Sequence, residues 1–399
     1  MRISSKSIQM QWLATITQQQ SQVARLQQQV GTGRRVNSAI DDPVGAAQIS
    51  RFEQGLARLE TYARNADAAE RRLNLQEIAL SEVADILNRV RDLTLQAGGA
   101  AAVAPGSRQA IADEVSELLV GLVDTANSQD GEGRYLFAGN RVEVEPFPAL
   151  GQLPVYAGDQ GARFQRIGDD RLIQESNSGA EVFQFIRNGN GLYSVSASAA
   201  NTGTMNQTNA TVLDSAAWVP GDYTIQFTAP DRYDIVTSGG TPIRVDEPYV
   251  PGALISFNGA VISFEGEPAA GDEFQVNASR NQSVFLTVKS LADTLRLDVN
   301  DPAVRAQFQS RLNSALQDID QSLEKINGVR GDIGARLNVI DRQRSVNEEV
   351  SFQIETSLSK VRDLDFASAI SELELRLTSL EAAQRSFAET RRNSLFNFL

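Results

Sequence analysis

The sequence predicts a mainly α fold with inserted β structure: an elongated antiparallel helical bundle or coiled coil from the N- and C-terminal segments, with a central antiparallel β domain. Three observations predict it. Apolar residues recur every seventh position over long stretches near both ends of the 399-residue chain. Short alternating runs, punctuated by Gly, Pro and Asn, fill the middle. The helical rows are also too long to bury their stripes alone, so the start of the chain is expected to pair with its end, leaving the middle as an insertion.

The first element, Ile3 to Val30, is rich in Gln and its apolar residues are sparse. Ile16, Val23 and Val30 are seven apart, and Trp12 and Leu26 share a second row with Gln19 between them. This is a helical period with a narrow stripe. Few apolar side chains per turn leave such a helix marginal in isolation, because helical stability comes mostly from packing. Ile8, Trp12, Ile16, Val23, Leu26 and Val30 are therefore the expected packing residues of a helix that orders against partners. An ordinary amphipathic helix of a globular domain is the alternative.

The stretch "VGTGRRVNSAIDDPVGAA" from Val30 follows. Its glycines raise the question of a phosphate loop, but a Gln-rich helix precedes them where a buried strand is required, and neither a third Gly nor a Gly-Lys pair follows. Gly31 and Gly33 read instead as a helix stop. Asn37 and Ser38 favour a turn. Asp41 or Asp42 then caps a new helix with Pro43 at its first position. Arg34 and Arg35 are placed either against acidic groups of a neighbouring subunit or in solvent.

The next row is Leu59, Ala66, Leu73, Leu80 and Leu87, with Tyr62, Ala69, Val83 and Val90 beside it and Gln76 interrupting. It predicts a helix over about 56–97, longer than globular helices usually run. A second helix, 107–127, carries Ile111, Val115, Leu118, Leu119 and Leu122 on one face. Beyond Arg134 the period changes. "YTIQF" alternates as a half-buried strand does, and "LISFNGAVISF" is two apolar runs joined by Asn258-Gly259, a strong hairpin signal. "SASAANTGTMNQTNATVL" reads as a polar loop. Between Arg141 and Arg280 there are 8 Arg, no Lys and 17 Asp plus Glu, which suits a solvated outer domain. Helical signals return over 282–299, and Asp301-Pro302 restarts a helix with the row Leu312, Ile319, Ile326, Ile333 and Ile340. A last helical segment, 363–399, has Phe366, Ile370, Leu373, Leu377 and Leu380 at helical spacing and ends in "SLFNFL". The expected domains are thus 1–45 with 350–399 (terminal coiled coil), 46–133 with 281–349 (long-helix bundle) and 134–280 (β-rich), the last as one lobe or as two split near 194–211.

Composition narrows function. With no Cys and no His, thiolate chemistry, Cys/His zinc sites and imidazole catalysis are excluded. Carboxylate chemistry remains open in principle, yet no acidic pair has distinctive spacing. No catalytic, cofactor-binding or metal-binding residue is assigned, and the chain is expected not to be an enzyme. A net charge of −13 argues against nucleic acid and anionic membrane surfaces. No run of about 20 apolar residues offers a membrane span. The N-terminus lacks the apolar region of a cleaved signal peptide. Four Asn-X-Ser/Thr triplets match the glycosylation sequon, a pattern common by chance.

"VGTGRRVNSAIDDPVGAAQIS" at 30–50 resembles the "sSGlrINSAkDDaAGlaIs" pattern of the flagellin superfamily, as does the C-terminal "DLDFASAISELELRLTSLEAAQRSFAETRRNSLFNFL". "GRYLFAGNRVEVEPF" at 133–147, the ending "SLFNFL" and the segment "DYTIQFTAP…DEFQV" are similar to the hook-associated branch of that superfamily. The resemblance implies a mechanical adaptor between flagellar hook and filament, with a flagellin-type filament subunit as the alternative. It implies export through the flagellar type III channel without a cleaved signal, and an extracellular place in the flagellum. The implied partners are further copies in a ring-like homo-oligomer, another hook-associated protein on the hook side, flagellin on the filament side, and an export chaperone at the C-terminal helix. Phe366, Ile370, Leu373, Leu377, Leu380, Leu395, Phe396, Phe398 and Leu399 are the expected C-terminal packing or chaperone residues, the last four alternatively only closing the helix end. Ile8 to Val30 and Asp363 to Leu399 are expected to be mobile in the free monomer.

Overall fold

The computed structural model describes residues 5–99, 105–148 and 153–392. Six helices and twelve strands follow in order. Helices α1 (Ser5–Thr32), α2 (Pro43–Gly98) and α3 (Pro105–Ala126) come first, and α4 (Val284–Leu295), α5 (Pro302–Arg362) and α6 (Phe366–Arg392) last. Between them lie β1 (Phe164–Gly168), β2 (Arg171–Gln174), a π-helical turn (Ala180–Gln184), β3 (Ile186–Arg187), β4 (Tyr193–Ala197), β5 (Asn206–Val212), β6 (Tyr223–Ala229), β7 (Arg232–Thr237), β8 (Pro242–Pro248), β9 (Ile255–Phe257), β10 (Ala260–Glu265), β11 (Glu273–Ala278) and β12 (Asn281–Gln282). The chain is mainly α with an inserted antiparallel β region, as its periodicity predicts. It divides into two compact units, Met1–Arg64 with Arg342–Leu399, and Asn65–Asp341.

In the second unit the seven-residue rows become a core. Leu73, Leu80, Leu87 and Val90 of α2, Val115 and Leu122 of α3, and Ile319, Ile326, Ile333 and Ile340 of α5 are fully buried in one cluster. Each α2 leucine contributes about 1.5–3 kcal/mol by leaving water. Gln76, which interrupts the α2 row, is fully buried as well. Its Nε2 donates to the Glu175 carbonyl (2.9 Å) and its Oε1 accepts from Asn177 Nδ2 (3.0 Å), so the break in the pattern is where the helix grips the inserted segment. Residues of the inserted segment, among them Leu136, Phe147, Ile173 and Phe183, pack into the same helical core. Phe147 and Phe183 meet Phe285 of α4, with Phe147 and Phe285 centroids 4.9 Å apart, and Phe137 packs edge-on against Phe183.

A second core belongs to 193–276 alone. A five-stranded sheet in the order β4-β11-β6-β7-β8 and a three-stranded sheet β5-β10-β9 enclose it, with antiparallel pairing throughout. Tyr223, Ile225 and Phe227 point inward while Thr224 and Gln226 stay half-exposed, the alternation seen in the sequence. The β9–β10 hairpin turns at Asn258 (φ 45°) and Gly259 (φ 80°), both left-handed as a type I′ turn requires.

Two expectations are corrected. The polar stretch read as a loop contains β5, whose Gln207 and Ala210 are buried while the residues between them are wetter. Small polar residues masked a strand whose stability comes from pairing with β10. The helix expected over 282–299 spans only Val284–Leu295, because the Ser283 hydroxyl caps it by accepting from Phe285 N (3.2 Å) and Asn281–Gln282 form β12.

Candidate subunit-packing site

The candidate site is the unit formed by the two ends of the chain. On α1, Trp12, Ile16, Gln19, Val23, Leu26 and Val30 are half-buried or buried and spaced four, three, four, three, four, with Gln22 and Gln29 half-buried beside them. On α6 the half-buried or buried positions are Ala369, Leu373, Arg376, Leu380, Ala383 and Phe387, with the same spacing. The two helices pack on each other. Leu364 N donates to the Gly33 carbonyl (3.0 Å) where α1 stops and α6 is about to start, so the pair is antiparallel. Matched seams of this period are those of a two-stranded coiled coil. Ile8 lies within α1. Leu395, Phe396, Phe398 and Leu399 fall outside the described residues.

This unit buries little. Among its described residues the buried apolar ones are Val23, Val36, Tyr62, Leu358 and Ala369. Several large apolar side chains face outward instead. Phe366, Ile370 and Leu377, three of the expected C-terminal packing residues, are exposed, Phe366 by 50%. Met10 and Leu13 of α1, Val346, Val350 and Phe352 of α5 and Leu375 of α6 join them, Phe352 at 66% and Leu375 at 67%. Sequence reasoning missed Val346, Val350 and Phe352, since they lie off the row that ends at Ile340. Large apolar side chains left outward together in one small unit make this face a candidate interaction surface.

The connector 30–43 locks the unit together. Gly33 has φ 70° and its N–H donates to the Gln29 carbonyl (2.8 Å), which makes it the residue that stops α1, whereas Gly31 still lies inside the helix. Asp42 is the cap of α2, accepting from Gly45 N (2.8 Å), and Pro43 is the first helical residue. Asp41 does something else. It accepts from the Ser38 N–H and hydroxyl (both 3.0 Å) and pairs with Arg25 of α1 (3.0 Å). Burial works to raise its pKa, but the Ser38 donors and Arg25 outweigh it and hold the carboxyl below the usual range. Asn37 accepts from the Thr32 hydroxyl (2.9 Å).

Arg35 is about half exposed and also makes contacts within the chain that its spacing did not announce. Its guanidinium donates to the Val361 carbonyl (2.8 Å), its N–H to the Arg362 carbonyl (2.7 Å), and it lies 3.5 Å from Asp42. It straps the end of α5 to the start of α2. Arg34 forms an isolated antiparallel bridge with Asp363. Hydrogen bonds from Arg362 and Ser359, with Arg34 nearby, hold the Asp363 carboxyl below its ordinary pKa. Nothing in the spacing of Arg25 or Val361 could have announced these contacts.

The N-terminal part of the chain, residues 3–141, matches the family model for the bacterial flagellin N-terminal helical region. A crystal structure of FlgL from Xanthomonas campestris is similar at 34% identity and a TM-score of 0.72, covering 77% of this chain and 99% of that one. The chain belongs to the FlgL family. The flagellar junction protein FlgL of Legionella pneumophila is similar at 30% identity and a TM-score of 0.71, over 78% of this chain and 100% of that one. Flagellar hook-associated protein 3 of Salmonella typhimurium is 31% identical over 187 residues, 47% of this chain; the match spans 58% of that protein's length. Vibrio flagellins match over 85% of their length at 21–25% identity, more distant than the FlgL structures. The family places this chain among structural components of the bacterial flagellum. Among the described residues no helix is long and apolar enough to cross a membrane.

Proposed function

We infer that the chain is a structural adaptor that joins the flagellar hook to the filament by axial packing of its terminal helices. The observation that carries this reading is the α1–α6 pair. It is a matched antiparallel seam whose outer face, with Phe366, Ile370 and Leu375, stays uncovered among the described residues, as does Phe352 of α5 in the same unit. Burying those side chains against neighbours supplies the packing that a sparse two-helix seam lacks. The seam residues Ile8, Trp12, Ile16, Val23, Leu26 and Val30 then form the axial core with the C-terminal helix, the long helices α2 and α5 the next shell, and the β region the outer surface.

The partners of this reading are further copies in a ring-like assembly, another hook-associated protein on the hook side and flagellin on the filament side. A flagellar export chaperone holds the C-terminal helix before secretion through the type III channel. The chemistry of the chain supports a mechanical role: it has no His and no Cys, and its buried polar groups serve packing.

The test is location. Labelling the chain on intact flagella is expected to mark a single zone at the distal end of the hook. Label along the whole filament would make it a filament subunit instead. Seeding separates the two in solution, since an adaptor adds a bounded layer to hook ends whereas a filament subunit elongates without limit.

A further inference from the structure

The unit Asn65–Asp341 contains two apolar cores that share no residue. One is built on the helices with Leu136, Phe147, Ile173 and Phe183 of the inserted segment, and the other is enclosed by the β lobe, residues 193–278. What joins them is polar. Along α5, Gln307, Ser310, Ser314 and Asp318 are three or four apart, with Asn313 and Gln317 beside them, and so lie along one side of the helix. Each meets the lobe or its connecting loop. Gln307 Nε2 donates to the Asn201 carbonyl (3.2 Å), Asn313 Nδ2 to the Gln207 carbonyl (2.8 Å), the Ser314 hydroxyl to the Val195 carbonyl (3.0 Å) and Gln317 Nε2 to the Ala210 carbonyl (3.5 Å). Ser310 Oγ accepts from Gln207 N (3.0 Å). Asp318 accepts from Gly189 N (2.6 Å) and Gln282 Nε2 (3.1 Å), and burial pushes its pKa up against the pull of those two donors.

Beside this seam lies an open cleft of about 680 Å³, lined by Ser194, Ser196 and Asn277 of the lobe and by Ser290, Thr294 and Arg311 of the helices. The chain crosses between the cores twice, and the crossings are side by side. β3 pairs with β12, Asn188 N donates to the Arg280 carbonyl (3.1 Å), and the Ser279 hydroxyl donates to the Asn188 carbonyl (2.7 Å). The first crossing holds two left-handed glycines, Gly189 (φ 64°) and Gly191 (φ 88°).

We propose that the β lobe is a hinged body that rocks on α5 about the paired crossings at 187–191 and 279–282, with the polar seam as its latch. Hydrogen bonds that water can replace contribute little net stability. The adjoining cleft is lined in part by the seam's own Ser310, Ser314, Gln317 and Asp318, and none of the α5 seam residues belongs to either apolar core. Motion between bodies is the default where no large apolar interface joins them, and a few loop residues absorb the change in backbone angle. Nothing in this inference depends on the junction role.

The absence of cysteine makes the test clean, because introduced thiols are the only labelling sites. Nitroxide pairs on the full-length chain are placed at Ser238→Cys in the lobe with Glu117→Cys on α3, all exposed positions, and at Ser238→Cys with Glu265→Cys within the lobe as reference. Electron–electron distance measurements are expected to give a distribution roughly twice as wide for the first pair as for the second. A variant with Ser310→Ala, Asn313→Ala and Ser314→Ala is expected to widen the first distribution further while the second stays unchanged. Equal, narrow distributions for both pairs in the otherwise unaltered chain would overturn the proposal, whether or not the triple variant folds.

Discussion

The same seven-residue rule runs through the terminal helices and through the helices of the unit Asn65–Asp341, with opposite outcomes. In α2 and α5 the rows are wholly sequestered, with Leu73, Leu80, Leu87, Ile319, Ile326 and Ile333 at 0% exposure. In α1 and α6 most of the row is only half-buried, and a second set of apolar residues points to solvent. Periodicity therefore identifies which face of a helix seeks cover, but says nothing of whether the same chain supplies it. The long helices find theirs in α3, α4 and the aromatic cluster of the inserted segment. Among the described residues the terminal helices α1 and α6 pack on each other.

The sharpest way to test that contrast is to disturb the buried unit where its charge is locked. Arg72 of α2, 9% exposed at its side chain, pairs with Asp130 (2.7 Å) and Glu175 (3.0 Å). Arg72→Ala leaves both carboxylates buried without that partner, and urea unfolding is expected to show a loss of about 3–5 kcal/mol. Next comes a paired comparison. Leu80→Ala opens a cavity in a dry core and is expected to cost about 2–5 kcal/mol. Leu375→Ser on α6 is expected to change monomer stability by no more than about 0.5 kcal/mol while weakening attachment to hook ends. A large stability loss from Leu375→Ser would show that the terminal face is already covered and would break the comparison.

Acid offers a third, smaller probe. Burial works to raise the Asp130 carboxyl, but hydrogen bonds from the Arg134 N–H, the Arg72 guanidinium and the Glu132 N–H outweigh it and bring it down to about 2. A carboxylate whose pKa is lowered in the folded state stabilises that state above the unfolded value near 3.8. The contribution is lost as pH falls through about 2, because folding then no longer excludes the proton. Unfolding followed between pH 5 and 2 is expected to show stability falling, with a shallower fall in Arg72→Ala. A modest gain is expected at Gln19, a polar member of the α1 seam, whose buried Oε1 has no partner among the described residues. Gln19→Leu is expected to slow amide exchange in α1 and raise stability by about 1 kcal/mol.

Much of the fold was legible because helices and strands leave periods in the sequence. The α2 and α5 rows, the Asn258-Gly259 hairpin, the Asp301-Pro302 start and the stop at Gly33 all read directly. β5 did not, since Asn, Gln and Thr carry no alternating apolar signal and only β10 makes them a strand. Of the site, the α1 seam was legible, and the connector in part: Asp41 and Asp42 stood in the right place, but their division of labour depends on Ser38, Gly45 and Arg25. Arg35 was out of reach because its partners are backbone carbonyls 326 positions away in the chain.

By itself the sequence determined the class of structure, the absence of thiol and imidazole chemistry, the family it resembles and the faces its helices seek to bury. These are consequences of local geometry and side-chain type, which act at short range. Only the tertiary structure decided that the β lobe keeps a core of its own, that Gln76 and Arg72 hold the inserted segment to α2, and that Phe352, Phe366 and Leu375 stay uncovered. Burial and hydrogen-bond pairing are properties of what lies across space, and residues distant in the chain settle them jointly.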